Sequence, residues 1–222
     1  GVDELNSNLY AYCENNPINR DDFTGKCFRD SKGNIFHDNW ECGRKYDRGL
    51  AINYAEKYWN KTSHYFYSYS NGDCTNFTSQ CLFTGGFLMS KEWHSFWLNK
   101  KFSIKGILSY KFNYNWDISE AWRLVNKQYE YIKKSSGHFN KEIVINKDTN
   151  IKNLISQNKI QKGDLIYFDK GNGKGIYHTA ILNNVSSTML KYAGHSINRW
   201  NTNITSFFKD FKKGKNYILL LK

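Results

Sequence analysis

The residues of this sequence that could do chemistry centre on Cys74, within the stretch NGDCTNFTSQCL at positions 71–82. Asn71 and Gly72 are turn residues, so we interpret Asp73 as an N-cap and Cys74 as the first residue of a helix. A thiol at that position faces unpaired backbone N–H groups and the positive end of the helix dipole, which favour the thiolate. Cys74 is therefore a candidate nucleophile. Burial in the core is the alternative, because free cysteines are often buried.

Two of the six histidines, His178 and His195, are candidates for the base that such a thiol needs. His178 begins one β-rich run and His195 follows the next. A two-residue turn between the runs would place both rings on one face of a sheet, and an odd-length loop would point them apart. A nucleophile, a base and a residue that orients the base are the parts of a cysteine hydrolase. We interpret Cys74 as the nucleophile, His178 as the base and His195 as the orienting residue.

Polar residues next to the thiol are candidates for substrate binding. Asn76 and Gln80 lie one helical turn apart and would share a helix face, which either lines a cleft or faces solvent. Asp73 directly precedes the thiol and is the third candidate. The backbone N–H of Cys74 would contribute to an oxyanion hole.

The elements that must position these residues are helices first and strands afterwards. Apolar periodicity predicts helices over 46–59, 74–83 and 119–132, the second ended by Gly85 and Gly86. Short β-rich runs at 164–168, 178–182, 189–193 and 217–221 predict an antiparallel sheet. The fold class is therefore α+β, with a helix packed on one face of the sheet. The aromatic-rich stretch 88–116 has no clear period and is interpreted as a long insertion or lid.

Composition and charge limit the classes of function that this chain can have, but they do not identify one. The chain has 222 residues and a formal net charge of +12, which suggests an anionic partner, but its lysines are dispersed and form no nucleic-acid motif. Five cysteines without a close pair indicate neither a disulfide framework nor a zinc site. With no phosphate-binding loop or dinucleotide fingerprint, we predict no cofactor. We expect no membrane span and recognise no signal peptide in this fragment.

The order of several motifs resembles the putative amidase domain family, a branch of papain-like cysteine hydrolases similar to NlpC-type cell-wall peptidases. The matching stretches are Tyr46-Asp47-Arg48, Asp73-Cys74-Thr75-Asn76-Phe77 with Ser79-Gln80-Cys81-Leu82, Gly85-Gly86, Trp122, Gly163-Asp164-Leu165-Ile166 and His178. The resemblance implies that Cys74 is the nucleophile and His178 the base. It places the third member at His195, with Asn198 as a papain-like alternative. Asp164 is interpreted as a turn residue.

The first 26 residues resemble the closing motif of the Rhs repeat-associated core, which precedes a variable C-terminal toxin. The match includes Leu9, Tyr10, Tyr12 and the run Asn15-Asn16-Pro17. Phe23, in Asp22-Phe23-Thr24-Gly25, replaces the proline of that motif, which leaves cleavage at this junction open. The resemblance implies a core remnant at 1–26, a catalytic domain at 27–222, delivery to a target cell as part of a larger toxin, and a cognate immunity protein.

Three functional hypotheses follow. The first is a cysteine amidase or peptidase that acts as a bacterial toxin on peptidoglycan peptides. The second uses the same Cys-His pair as an intracellular protease, a deamidase or an acyltransferase. The third is a non-catalytic basic domain that binds an anionic polymer.

Overall fold

The computed structural model describes residues 20–22, 27–30, 35–37, 46–100, 113–135 and 137–222. The chain forms two compact units, one of residues 1–44 and 96–117 and the other of residues 45–95 and 118–222. The Rhs-like stretch lies outside the described residues except at 20–22. The proposed boundary after residue 26 therefore remains a prediction.

The first unit contains short strands in two sheets. Three of them form one sheet in sequence order: β1 (Arg20–Asp22), β2 (Cys27–Asp30) and β3 (Ile35–His37). The strands β4 (Ser95–Lys100) and β5 (Asn113–Ile118) form a pair of their own. They occupy about a third of the stretch 88–116, which the sequence presented as an aperiodic insertion or lid. Residues 101–112 between them lie outside the described part.

The second unit packs helices against a six-stranded antiparallel sheet. Its helices are α1 (Arg48–Tyr58), α2 (Cys74–Thr84), α3 (Glu120–Arg123), α4 (Val125–Lys134), α5 (Ile151–Gln157) and α6 (Phe207–Asp210), the last preceded by a 3-10 turn at Ile204–Ser206. Its strands are β6 (Phe139–Ile145), β7 (Leu165–Asp169), β8 (Ile176–Val185), β9 (Leu190–Gly194), β10 (Arg199–Asn203) and β11 (Lys215–Leu221). The strand order is β10-β9-β8-β7-β11-β6. The predicted α+β class is confirmed.

Both faces of this sheet are covered. One face carries an apolar cluster that includes Phe168, Ala180 and Tyr192, and α5 and α6 pack on it. The other face receives α2 and α4, because the Tyr167 hydroxyl donates to Gln128 of α4 and α2 contacts the end of β9, as described below. The candidate nucleophile therefore belongs to a helix that is pressed against the sheet.

The Gly163-Asp164 turn ties α1 to the sheet, which agrees with a structural role for Asp164. Asp164 is fully buried and accepts hydrogen bonds from the Leu221 N–H at 2.9 Å and the Gln161 N–H at 2.8 Å. Arg48, the first residue of α1, forms an ion pair with it at 2.7 Å. Gly163 has a φ of 90°, a conformation that glycine adopts without strain.

The third predicted helix is wrong in one respect, because it is two helices. Leu124 separates α3 from α4 with extended backbone angles (φ −104°, ψ 125°) and is exposed, although the periodicity placed it on an apolar stripe. The break lets both the Trp122 indole and the Gln128 amide reach α2. Leu50, which the periodicity placed on the inner face of α1, is also exposed.

We predict that Asp164→Ala lowers the free energy of unfolding by about 3 kcal/mol, because removing one partner of a buried pair leaves the other charge and the donors unpaired. Urea denaturation measures the change. The matched control is Asp148→Ala, which removes a carboxylate from an exposed pair with Lys147 and should cost less than about 0.5 kcal/mol. Equal effects of the two substitutions would contradict the structural role of Asp164.

Candidate active site

Cys74 is the first residue of α2, where the sequence placed it. Its side chain is nearly buried, at 7% exposed, and its sulfur lies 3.8 Å from the Thr75 hydroxyl. Burial raises the pKa of Tyr167 and of Tyr177, and negative charge on Cys74 raises both further. The thiol is therefore within electrostatic range of two tyrosines on neighbouring strands.

Asp73 is the N-cap residue of α2, but its carboxylate does not cap the helix. One carboxylate oxygen accepts from the Tyr69 N–H at 3.0 Å and from the Asn76 amide at 2.8 Å. The other lies 2.7 Å from Nδ1 of His195. These contacts leave the N–H groups at the start of α2 without a cap from this side chain, so those groups can respond to negative charge at Cys74.

His195 holds Asp73 in place. Its Nε2 lies 2.7 Å from the carbonyl oxygen of Tyr58, at the end of α1, and its ring stacks on Phe77 at 4.1 Å between centroids. Both partners of the ring nitrogens, the Asp73 carboxylate and the Tyr58 carbonyl, can accept hydrogen bonds. The ring is therefore held on both sides and fixes the position of Asp73 directly before the thiol.

The two candidate histidines do not share a face of the sheet, which corrects the expected arrangement. β8 and β9 pair Leu182 with Tyr192, and Asn183 is an extra residue that shifts the register. If this pairing is continued beyond β9, His195 lies opposite Thr179 and shares its face of the sheet. Because neighbouring residues of a strand point to opposite faces, His178 points to the other face. His195 therefore contacts Asp73 and does not orient the His178 ring.

His178 lies at the start of β8 among aromatic residues. Its ring centroid is 5.4 Å from that of Phe168 and 6.0 Å from that of Tyr177. Burial, aided by the positive charge of Arg199, lowers the pKa of His178 to about 4, so the ring is neutral at pH 7. Among the described residues no hydrogen bond joins His178 to Cys74, and its role as base stays a prediction.

Asn76 and Gln80 are buried, at 0% and 5% exposed, which excludes the solvent-facing alternative. The Asn76 amide donates to the carbonyl of Tyr67 and accepts from the Trp122 indole N–H. Gln80 accepts from the Tyr54 hydroxyl. These contacts fix α2 in place, and substrate binding by Asn76, Gln80 or Asp73 remains a prediction. Asn198, the alternative third member, is exposed in a turn.

Sequence reasoning missed the part that Gln128 plays. The nitrogen of this fully buried amide lies within hydrogen-bond distance of the Thr75 carbonyl and the Ser79 hydroxyl, and its oxygen accepts from the Thr78 hydroxyl. It therefore provides hydrogen-bond partners for polar groups of α2 within the core. The signal in the sequence was a polar glutamine on the apolar face of a predicted helix.

A family model described as "Putative amidase domain" matches residues 45–219. The chain belongs to this family. Two relatives from Bacillus subtilis (strain 168) are described as uncharacterized proteins: YhbB is 30% identical over 141 residues, 62% of this chain and 37% of the relative, and YjcM is 27% identical over 180 residues, 78% and 36%. The chain thus spans little more than a third of these relatives. No solved structure matches.

Two features are absent from the described part of the chain. It contains no group of three or more His, Cys, Asp or Glu side chains arranged to hold a metal ion. None of its helices combines the length and the apolar character that crossing a membrane requires.

The buried neutral His178 predicts a pH-dependent stability. Because its pKa of about 4 in the fold is below that of an unfolded chain, about 6.5, the unfolded state binds the proton first. The contribution is complete above pH 6.5 and is lost as the pH falls towards 4. We expect His178→Gln to flatten the pH dependence of urea unfolding over this window. His64→Gln, at an exposed position, should retain it, and an unchanged profile in His178→Gln would contradict the prediction.

Proposed function

We propose that this chain is a cysteine-dependent amide hydrolase with Cys74 as its nucleophile. The observation that carries the proposal is the position of Cys74 at a helix start that the neighbouring Asp73 carboxylate does not cap, because that carboxylate contacts His195 instead. Membership of an amidase-like family supports amide hydrolysis as the reaction class. Family membership alone does not assign a thiolate or a cysteine mechanism, and we propose both for Cys74.

In this mechanism neutral His178 takes the thiol proton, and the sulfur attacks the carbonyl carbon of the amide. The C–N bond breaks as His178 returns the proton to the leaving nitrogen, which leaves a thioester on Cys74. Water, deprotonated by His178, then releases the acid. The N–H of Cys74 stabilises the oxyanion. His178 lies on the face of the sheet opposite α2, so the mechanism requires the ring and the thiol to meet around the end of the sheet, at the start of β8.

His195 is assigned a positioning role and not the role of base. It is on the same side of the sheet as α2, but both of its ring nitrogens face acceptors, Asp73 and the Tyr58 carbonyl. Neither ring nitrogen faces the thiol, so His195 is not placed to take the thiol proton. Its contribution is to keep Asp73, and therefore the start of α2, in place.

For the substrate we favour peptidoglycan peptides, on the resemblance to NlpC-type peptidases. The net charge of +12 suits a protein that meets an anionic cell wall. The Rhs-like N-terminal stretch supports a toxin that is delivered as part of a larger protein, with a cognate immunity protein that covers the Cys74 region. An intracellular protein substrate, deamidation and acyl transfer use the same Cys74 chemistry and are the alternatives.

A second candidate function is a non-catalytic domain that binds an anionic polymer. It is favoured by the lack of a hydrogen bond between Cys74 and His178 in the described structure. In this case the polar network around α2 would serve stability alone.

The test is mass spectrometry of material released from purified bacterial sacculi by the wild-type chain, Cys74→Ala and Cys81→Ala. Cys81 is the matched control, because it lies on the same helix and is fully buried, and burial raises the pKa of its thiol. We expect new peptide ends from the wild type and from Cys81→Ala, and at least a 1,000-fold loss in Cys74→Ala. Release that survives Cys74→Ala would contradict the proposal.

Histidine variants separate the two assigned roles in the same assay. His178→Ala should lose turnover as fully as Cys74→Ala, because no other base is assigned. His195→Asn should retain part of the activity, because it weakens the position of Asp73 without removing a reacting group. Equal and complete loss in both variants, with both folded by circular dichroism, would contradict this division of roles.

A further inference from the structure

Two turns lie side by side at one end of the six-stranded sheet. The first joins β7 to β8, and the second joins α6 to β11. β7 and β11 pair Asp169 with Lys215, so both turns lie at the same end of these strands. Their backbones are in close contact, since a Cβ added at Gly171 would lie 2.1 Å from the carbonyl oxygen of Lys213. The strand pairing therefore brings together two segments that are far apart in the sequence.

The two turns and their flanks are strongly basic. Residues 169–175 and 209–215 carry six lysines and two aspartates, Asp169 and Asp210. We call the six lysines the basic surface: Lys170, Lys174, Lys209, Lys212, Lys213 and Lys215. Five of them are exposed, and Lys170 is partly buried. Within the described part of the chain, no carboxylate lies within ion-pair distance of any of the six.

Aromatic contacts hold the two segments together and leave the surface open. Nζ of Lys170 lies 4.2 Å from the ring centroid of Tyr177 in β8 and 5.2 Å from that of Phe211 after α6. The Tyr177 ring is 41% exposed and directly precedes His178 in the chain. A Cβ added at Gly173 would have open space around it among the described residues. A ligand chain can therefore approach both the lysines and the backbone of the first turn.

The residue types of this surface favour a partner with a row of negative charges. Each lysine is a point charge on a flexible stem, which suits repeated phosphates better than one planar group. A folded acidic protein fits less well, because lysine is depleted in protein interfaces. Nucleic acid fits less well, because the two segments contain no arginine and Tyr177 is the one exposed ring for base stacking.

We propose that the basic surface binds the phosphodiester backbone of an anionic cell-wall polymer. The inference rests on the proposed function, because hydrolysis of peptidoglycan peptides brings the protein to the wall that contains such a polymer. Lysines that neutralise phosphates release the counter-ions of the polymer, so the binding weakens as salt is added. The bound polymer holds against the wall the end of the sheet at which β8 begins.

The test measures the binding of purified poly(glycerol phosphate) to the wild type and to two variants over a range of salt concentrations. The basic-surface variant is Lys212→Gln with Lys213→Gln. The matched control is Lys159→Gln with Lys162→Gln, two exposed lysines that precede β7 at its opposite end. We expect the basic-surface variant to bind at least tenfold more weakly, and its plot of log affinity against log salt to be shallower by about 0.7 for each lysine removed. Equal binding by the two variants, both folded by circular dichroism, would overturn the proposal.

Two further probes separate the partner classes. Oligothymidylate with the same number of phosphates represents nucleic acid, and polyglutamate represents an acidic protein. Tighter binding of either probe than of poly(glycerol phosphate) would overturn the proposal. Because poly(glycerol phosphate) has no amide bond, its binding does not depend on Cys74. Binding by a chain that releases no peptides from sacculi would support the basic surface and count against the hydrolase alone, and peptide release without polymer binding would overturn the basic surface alone.

Discussion

The contact between Asp73 and His195 is the interaction on which the candidate site depends. It joins the residue before the thiol to the end of β9, and through Nε2 of His195 to the last turn of α1. The same carboxylate receives the Tyr69 N–H from the preceding loop. Loop, helices and sheet therefore meet at one carboxylate, directly before the thiol. This contact fixes the start of α2 relative to the sheet.

The burial of α2 explains why its sequence is polar although it lies in the core. Thr75, Asn76, Thr78, Ser79 and Gln80 are all buried, and each has hydrogen-bond partners within the protein. A helix held by directional bonds on its polar side and by Phe77 on its apolar side has little freedom to rotate. Residue types that would suggest a binding cleft thus serve to fix the position of Cys74, which a catalytic thiol requires.

Local signals were sufficient to predict α1, α2 and the strands β7, β8, β9 and β11, because apolar period and turn residues mark them directly. The relation between His178 and His195 could not be predicted, because one extra residue at Asn183 changes which side chains share a face and leaves no mark in the pattern. The helix break at Leu124 could not be predicted either, because it follows from the packing of Trp122 and Gln128 against α2. The edge strand β10 was not predicted, because its apolar and polar residues alternate only weakly.

If Cys74 is the nucleophile, it carries the covalent acyl intermediate of the amide hydrolysis. The most direct measurement is acid quenching of the wild-type chain during digestion of sacculi, followed by peptide mapping of residue 74. We expect a hydroxylamine-sensitive acyl adduct on Cys74 and none on Cys81. Release of peptides with Cys74 unmodified at every time point, and with no loss of release in Cys74→Ala, would contradict it.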